Sequence, residues 1–223
     1  MKPGEIMNEA VFCGRIVSIR GDENSGTVTV ACPAVTTTRR SGKVENGVRV
    51  NYPSLSYNKN TITPDVFGSF KRGDYVTIKG YVQAYLGLDK NNGETREITS
   101  LYIREMFHDR SKMEKVFGIP GRTYPETKNE VYLTGTLAGI VKRTERVLAV
   151  RLDLSTEHRN LINAVYYNAR AGIASEYSIG DRVHILAMVQ TVDTRESRHI
   201  YSYQDIVILD FGKPASSKTP EDV

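Results

Sequence analysis

The chain has 223 residues and contains no tryptophan, two cysteines and four histidines. No apolar run approaches the ~20 residues that a membrane helix needs. The opening Met1-Lys2-Pro3-Gly4-Glu5 lacks the apolar core of a signal peptide. We therefore expect a protein that stays in the compartment where it is made, the cytoplasm, with no membrane partner. Cys13 and Cys32 lie in apolar, strand-like runs, with neither a CxxC spacing nor a Cys/His cluster. They read as small buried hydrophobes kept reduced, or as a disulfide pair, and a zinc site is not expected. Also missing are the GxxxxGK(S/T) loop that cradles nucleotide phosphates and the GxSxG turn that presents a serine nucleophile. His108, His158, His184 and His199 have no obvious carboxylate or cysteine partner in sequence. Neither catalysis nor a cofactor is expected.

What the chain does contain is a repeat. Asn8-Glu9-Ala10-Val11-Phe12-Cys13-Gly14-Arg15-Ile16 is echoed by Asn129-Glu130-Val131-Tyr132-Leu133-Thr134-Gly135-Thr136-Leu137. A second phrase follows each: Gly73-Asp74-Tyr75-Val76-Thr77-Ile78, then Gly180-Asp181-Arg182-Val183-His184-Ile185. Two matched phrases in one order, about a hundred residues apart, indicate a duplicated domain rather than a short-period solenoid. The length suits two domains of roughly 100 residues.

Apolar residues recur with period two, as in Leu148-Ala149-Val150-Arg151-Leu152-Asp153-Leu154, which is the pattern of half-buried strands. Turn signals at Gly21-Asp22, Asn46-Gly47 and Asn91-Asn92-Gly93 divide the runs. Five strands are expected in the first unit, near 8–20, 26–37, 47–58, 74–86 and 95–107. Five more fall near 129–143, 146–156, 160–168, 181–193 and 198–211. A short helix is expected between the third and fourth strands of each unit, within 59–70 and 169–177. Five strands with that helix give the order of an OB-fold, a small Greek-key barrel. The fold class is thus all-β, two tandem OB-folds: residues 1–110, a linker at 111–128, residues 129–211, and a polar, disordered tail at 212–223.

These phrases resemble bacterial and phage single-stranded-DNA-binding proteins. Asn129, Leu133, Gly135 and Leu137 match the family's opening motif, and Asn8, Phe12, Gly14 and Ile16 match it more loosely. Gly73, Val76, Ile78 and Gly80 match the later motif, as do Gly180, Val183 and Ile185, with Ala187 where the last glycine would stand. The resemblance implies sequence-tolerant binding of single-stranded DNA in replication, recombination or repair, in the cytoplasm and near the nucleoid. RNA stays open as a second ligand, since no feature addresses a 2′-hydroxyl. The family usually carries one unit per chain and assembles four; two units here leave a homodimer or a monomer open. The family often stacks bases on Trp, a role that Tyr and Phe would have to fill. Its partner-recruiting tail is acidic with an aromatic end, whereas this chain ends Pro220-Glu221-Asp222-Val223. Replication or recombination proteins remain open as partners.

Single strands are held by cations that track phosphates and by aromatic faces on which bases stack. The groove of an OB-fold lies over strands two and three. Net charge is +4, and all of it falls in residues 1–121, with 17 Lys+Arg against 13 Asp+Glu. The leading candidates are Arg39, Arg40 and Lys43, expected in a flexible loop at 36–47. Tyr52 and Tyr57 on the third strand are expected to stack bases. In the second unit Ile162, Ala164 and Tyr166 share one strand face and read as core, while Asn163 and Tyr167 share the other and read as groove. Arg49 and Arg151 alternate outward and could meet phosphates. Lys142, Arg143 and Arg146 cluster at a turn, as a phosphate clamp or simply as solvated residues. Tyr81, Tyr85, Tyr201 and Tyr203 lie on strands whose parity does not separate core from surface. The competing readings are a protein-interaction scaffold of a replisome or virion assembly and, more remotely, an oligosaccharide binder.

Overall fold

A computed structural model describes residues 5–40, 43–60, 68–88, 93, 95–109, 127–167, 172–196 and 199–213. The first half contains β1 (Met7–Gly21), β2 (Ser25–Arg40), β3 (Lys43–Asn51), β4 (Ser54–Asn58), β5 (Tyr75–Leu88) and β6 (Thr95–His108). The second contains β7 (Lys128–Thr144), β8 (Val147–Asp153), β9 (Leu161–Tyr167), β10 (Arg182–Glu196) and β11 (His199–Gly212). The period-two pattern accounts for both: alternate side chains of β1 and β7 go inward, in the same order of buried and exposed positions.

Each half closes a ring of strands. In the first, β1 pairs antiparallel with β2 and β5, β2 with β4, and β5 with β6, and a short parallel contact from β4 to β6 completes the circuit. In the second, β7, β8, β9, β11 and β10 connect in the same way. Each ring leaves one edge open, along residues 7–13 of β1 and 128–134 of β7. The interiors are filled by Phe12, Ile16, Val28, Leu55, Ile78 and Ile103 in one half and by Leu133, Leu137, Val150, Ile162, Ile185 and Ile206 in the other.

The repeated phrases acquire physical reasons. Where the β1–β5 ladder ends, the Asn8 amide continues it, donating to Val82 O at 2.7 Å and accepting from Val82 N at 2.9 Å. Asn129 does the same for Val189, with both bonds at 2.8 Å. Gly14 and Gly135 lie against the backbone of the neighbouring strand, where a β-carbon would collide with the carbonyl oxygens of Ala31 and Asp153. Gly73 and Gly180 both take φ +98°, in turns whose following aspartates accept from the backbone N–H of Lys71 and Ser178. A side chain other than glycine is strained there.

The two halves are joined along their first strands. β1 and β7 pair antiparallel from Met7↔Thr134 to Cys13↔Lys128, giving one continuous sheet of 11 strands. Nothing in the sequence pattern announces this ladder, because both strands carry the alternation of a half-buried strand whatever their neighbour.

Several expectations need correction. The loop at 36–47 is a hairpin: β2 and β3 stay in register through Arg39↔Val44 and Arg40↔Lys43. Its Val and Thr residues favour extended backbone, and this outweighs the small polar ones. The expected third strand at 47–58 is two strands, interrupted at Tyr52-Pro53. Proline has no N–H for the ladder, and its carbonyl instead accepts from Val30 N at 3.0 Å. In the second half the expected helix is a single 3-10 turn, Ile173–Glu176. The helix expected within 59–70, nearly all of the linker and the tail beyond Lys213 lie outside the described residues. Cys13 and Cys32 are both buried and free, and burial pushes the Cys32 thiol up to about 12.

Candidate functional site

β8 and β9 set the geometry of a groove on the outside of the second ring. Arg151 stands opposite Asn163, and Val147 opposite Tyr167. Inward-facing Ile162 and Ala164 are buried, so Asn163 and Tyr167 face out. The floor is low because Ala138, Gly139 and Ala149 are small. The resulting groove, about 570 Å³, is walled by Arg143, Arg151, Asn163, Tyr167, Tyr203 and Asp205. Tyr167 is 43% exposed and Tyr203 48% exposed. Thus two tyrosine surfaces and two guanidinium groups share one open concavity. Asp205 is the exception in sign: burial raises its carboxyl above the ordinary aspartate range, with Arg143 pulling the other way.

The halves cross over one another here. The hairpin of β5 and β6 reaches the second ring, where Ala84 N donates to Asn160 Oδ1 at 2.9 Å. From the same hairpin Glu97 Oε1 accepts from Arg151 Nη2 and, at 3.0 Å, from Arg159 Nη2, while Oε2 accepts from Asn163 Nδ2 at 3.4 Å. In return the hairpin of β10 and β11 reaches the first ring. Thr191 Oγ1 accepts from Tyr52 N at 2.9 Å, and Gln204 exchanges two hydrogen bonds with the backbone of Ser54, at 2.8 and 3.1 Å.

The residues expected from sequence divide accordingly. Arg143, Arg151, Asn163 and Tyr167 come together in the groove. Lys142 and Arg146 are exposed at the adjoining turn; Lys142 Nζ lies 2.7 Å from Glu145 Oε1 and lowers that carboxyl, and Arg146 N donates to Thr144 Oγ1 at 3.4 Å. Arg49 is exposed in the first half, but its Nη2 is directed to Thr191 O at 3.5 Å, against the incoming hairpin. Tyr52 is exposed beside it. Arg39, Arg40 and Lys43 sit at the tip of the β2–β3 hairpin, and their side chains lie outside what is described. Tyr57 is a correction: it is 3% exposed, its ring covers Gly26, and its hydroxyl donates to Asp22 O at 2.7 Å. Burial, with the Asp22 carboxylate behind it, raises its phenol. It therefore belongs to the core and has no face for a base.

Ladder register explains why the first half differs. Thr29↔Ser54 occupies the place of Arg151↔Asn163, and Gly26↔Tyr57 is one pair short of Val147↔Tyr167, so Tyr57 corresponds to inward Tyr166 and Asn58 to Tyr167. Thr29 and Ser54 hydrogen-bond each other at 3.1 Å. The groove that gathers Arg143 and Arg151 with Tyr167 and Tyr203 is thus in the half with no net charge, while in the first half Arg104 lies over the Tyr81 ring, 4.9 Å from its centroid. Sequence reasoning left Tyr203 undecided and missed Arg159 and Glu97. Glu97 had no sequence signal, because its partners are 54 to 66 residues away. No group of three or more His, Cys, Asp or Glu residues that could hold a metal occurs among the described residues.

No protein-family model and no curated protein sequence matches the chain. Solved structures do. A deletion mutant of the single-stranded DNA binding protein from Thermus aquaticus matches 97% of this chain and 98% of its own, with TM-score 0.64 and 12% identity. The wild-type protein matches 97% of each chain, with TM-score 0.60 and 14% identity. The chain resembles that protein in fold over nearly its whole length. At this identity the likeness is one of architecture, and the groove residues above stand on their own geometry.

Proposed function

We propose that the protein binds single-stranded DNA with little sequence preference, through two tandem OB-folds, residues 1–110 and 129–211, joined by a linker. The observation that carries this reading is the groove of the second half, where Arg143 and Arg151 flank exposed Tyr167 and Tyr203. Guanidinium groups meet phosphates, tyrosine faces accept any base, and the two devices together suit an unpaired strand better than a stacked duplex. The fold likeness to the Thermus aquaticus protein supports the same reading. Replication, recombination or repair would supply such strands. The β2–β3 hairpin, with Arg39, Arg40 and Lys43 at its tip, is the first half's contribution.

Changing Arg143 to Ala tests the groove directly. Fluorescence anisotropy with labelled oligo-dT should show weaker binding and a shallower dependence on salt, because a phosphate contact is lost. Unchanged affinity and salt slope would remove the groove from the binding surface. An RNA oligonucleotide of the same length in the same assay decides whether the ligand class extends to RNA.

A further inference from the structure

We propose that Arg151, Arg159 and Asn163 form a phosphate subsite, and that Glu97 of the first half occupies it as a resident competitor. The inference rests on the reading of the groove as a single-strand site. One carboxylate accepts from two guanidinium groups and a side-chain amide, all on the second half. Paired guanidinium donors plus a neutral N–H are what a phosphate oxygen pair requires. The same three donors that would receive a phosphate receive Glu97 Oε1 and Oε2 instead. Arg151 and Asn163 also line the groove, so the occupied subsite is continuous with the space where a strand would lie.

The cluster has charge to spare. Two arginines face one glutamate, and Arg151 Nε is buried with no acceptor among the described residues. Both guanidinium groups keep solvent access, with side chains 38% and 64% exposed, whereas Glu97 is 20% exposed. A phosphate can therefore approach the arginines while the carboxylate swings aside on its hairpin. The halves do not depend on this contact for cohesion. The β1–β7 ladder, Asn160 and Gln204 already join them.

The strand and the first half's hairpin are thus rivals for one set of donors. Binding a strand across the second half displaces Glu97, and removing its charge relieves that competition.

The test compares the full chain with E97Q, the double variant E97Q/R151A, and E105Q as a control for general loss of one negative charge. Glu105 is on the same strand, paired with Lys79 at 3.0 Å and well away from the cluster. Oligo-dT anisotropy across a salt series is the readout, with thermal melting to check folding. The expected result is roughly tenfold tighter binding by E97Q, loss of that gain in E97Q/R151A, and no comparable gain in E105Q. Equal or weaker binding by folded E97Q overturns the competitor assignment while leaving the binding function standing. A gain in E97Q that survives R151A overturns the subsite. If neither the unaltered chain nor E97Q binds oligo-dT, the functional reading itself fails; binding by E97Q alone supports both.

Discussion

Ala10 stands directly opposite Val131 in the β1–β7 ladder, and the two occupy the same position of the repeat. The halves thus meet about a local two-fold axis, each first strand pairing with its own counterpart. The same symmetry relates the crossed hairpins. Ala84 N reaches Asn160 in one direction, and Tyr52 N reaches Thr191 in the other. A duplicated unit that joins itself in this way is an isologous dimer within one chain.

The conserved geometry of the two Asn amides gives the first prediction. Asn8→Ala removes both hydrogen bonds to Val82 and leaves a partly buried N–H without its partner. A net loss of about 1–3 kcal/mol follows from about 0.5–1.5 kcal/mol per bond. Asn129→Ala should cost about as much at Val189. Denaturant unfolding should show a lower midpoint for each; a change in only one would break the equivalence of the halves.

The two tyrosines of β4 and β9 should behave oppositely. Tyr167→Ala should weaken oligo-dT binding by about 1–3 kcal/mol, the value of one stacked base, with little change in melting temperature. Tyr57→Phe should leave binding unaltered and lower stability by about 0.5–1.5 kcal/mol through the lost bond to Asp22 O. Anisotropy and thermal melting on both variants check the pair.

Asp205 should make oligo-dT binding depend on pH. Burial in the groove raises its pKa, so the folded chain holds that proton more tightly than the unfolded one does. The ionised form is therefore destabilising, a penalty present in full above the folded pKa that shrinks as pH falls through it and is gone below the unfolded pKa. The same carboxylate repels an incoming phosphate. Affinity for oligo-dT should rise as pH falls from about 7 towards the aspartate range near 3.9. Asp205→Asn should bind roughly three- to tenfold more tightly at neutral pH and lose most of that dependence. Parallel pH profiles for the two proteins would contradict the assignment.

How far the sequence could carry this account depended on the range of each signal. Period two on β9 separates Ile162 and Ala164 from Asn163 and Tyr167 because that strand is unbroken. The same parity runs unbroken through Pro53, with Asn51, Pro53, Leu55 and Tyr57 inward and Tyr52 outward; assigning both Tyr52 and Tyr57 to the groove goes against it. The repeat reveals that Asn8 and Asn129 are equivalent, but not that their amides extend a ladder. The β1–β7 pairing and the Glu97 cluster join residues far apart in sequence, and local pattern has no purchase on such contacts. Charge counting points to the first half, yet the groove that joins Arg143, Arg151, Tyr167 and Tyr203 is in the second, because net charge does not say where guanidinium groups converge.

The most direct measurement of the central claim is an equilibrium titration of the full chain with oligo-dT and with duplex of equal length, repeated across a salt series. The account predicts strong preference for the single strand and affinity that falls with rising salt, each phosphate contact adding about 0.7 to the logarithmic slope. Equal affinity for duplex, or single-strand binding indifferent to salt, would contradict it.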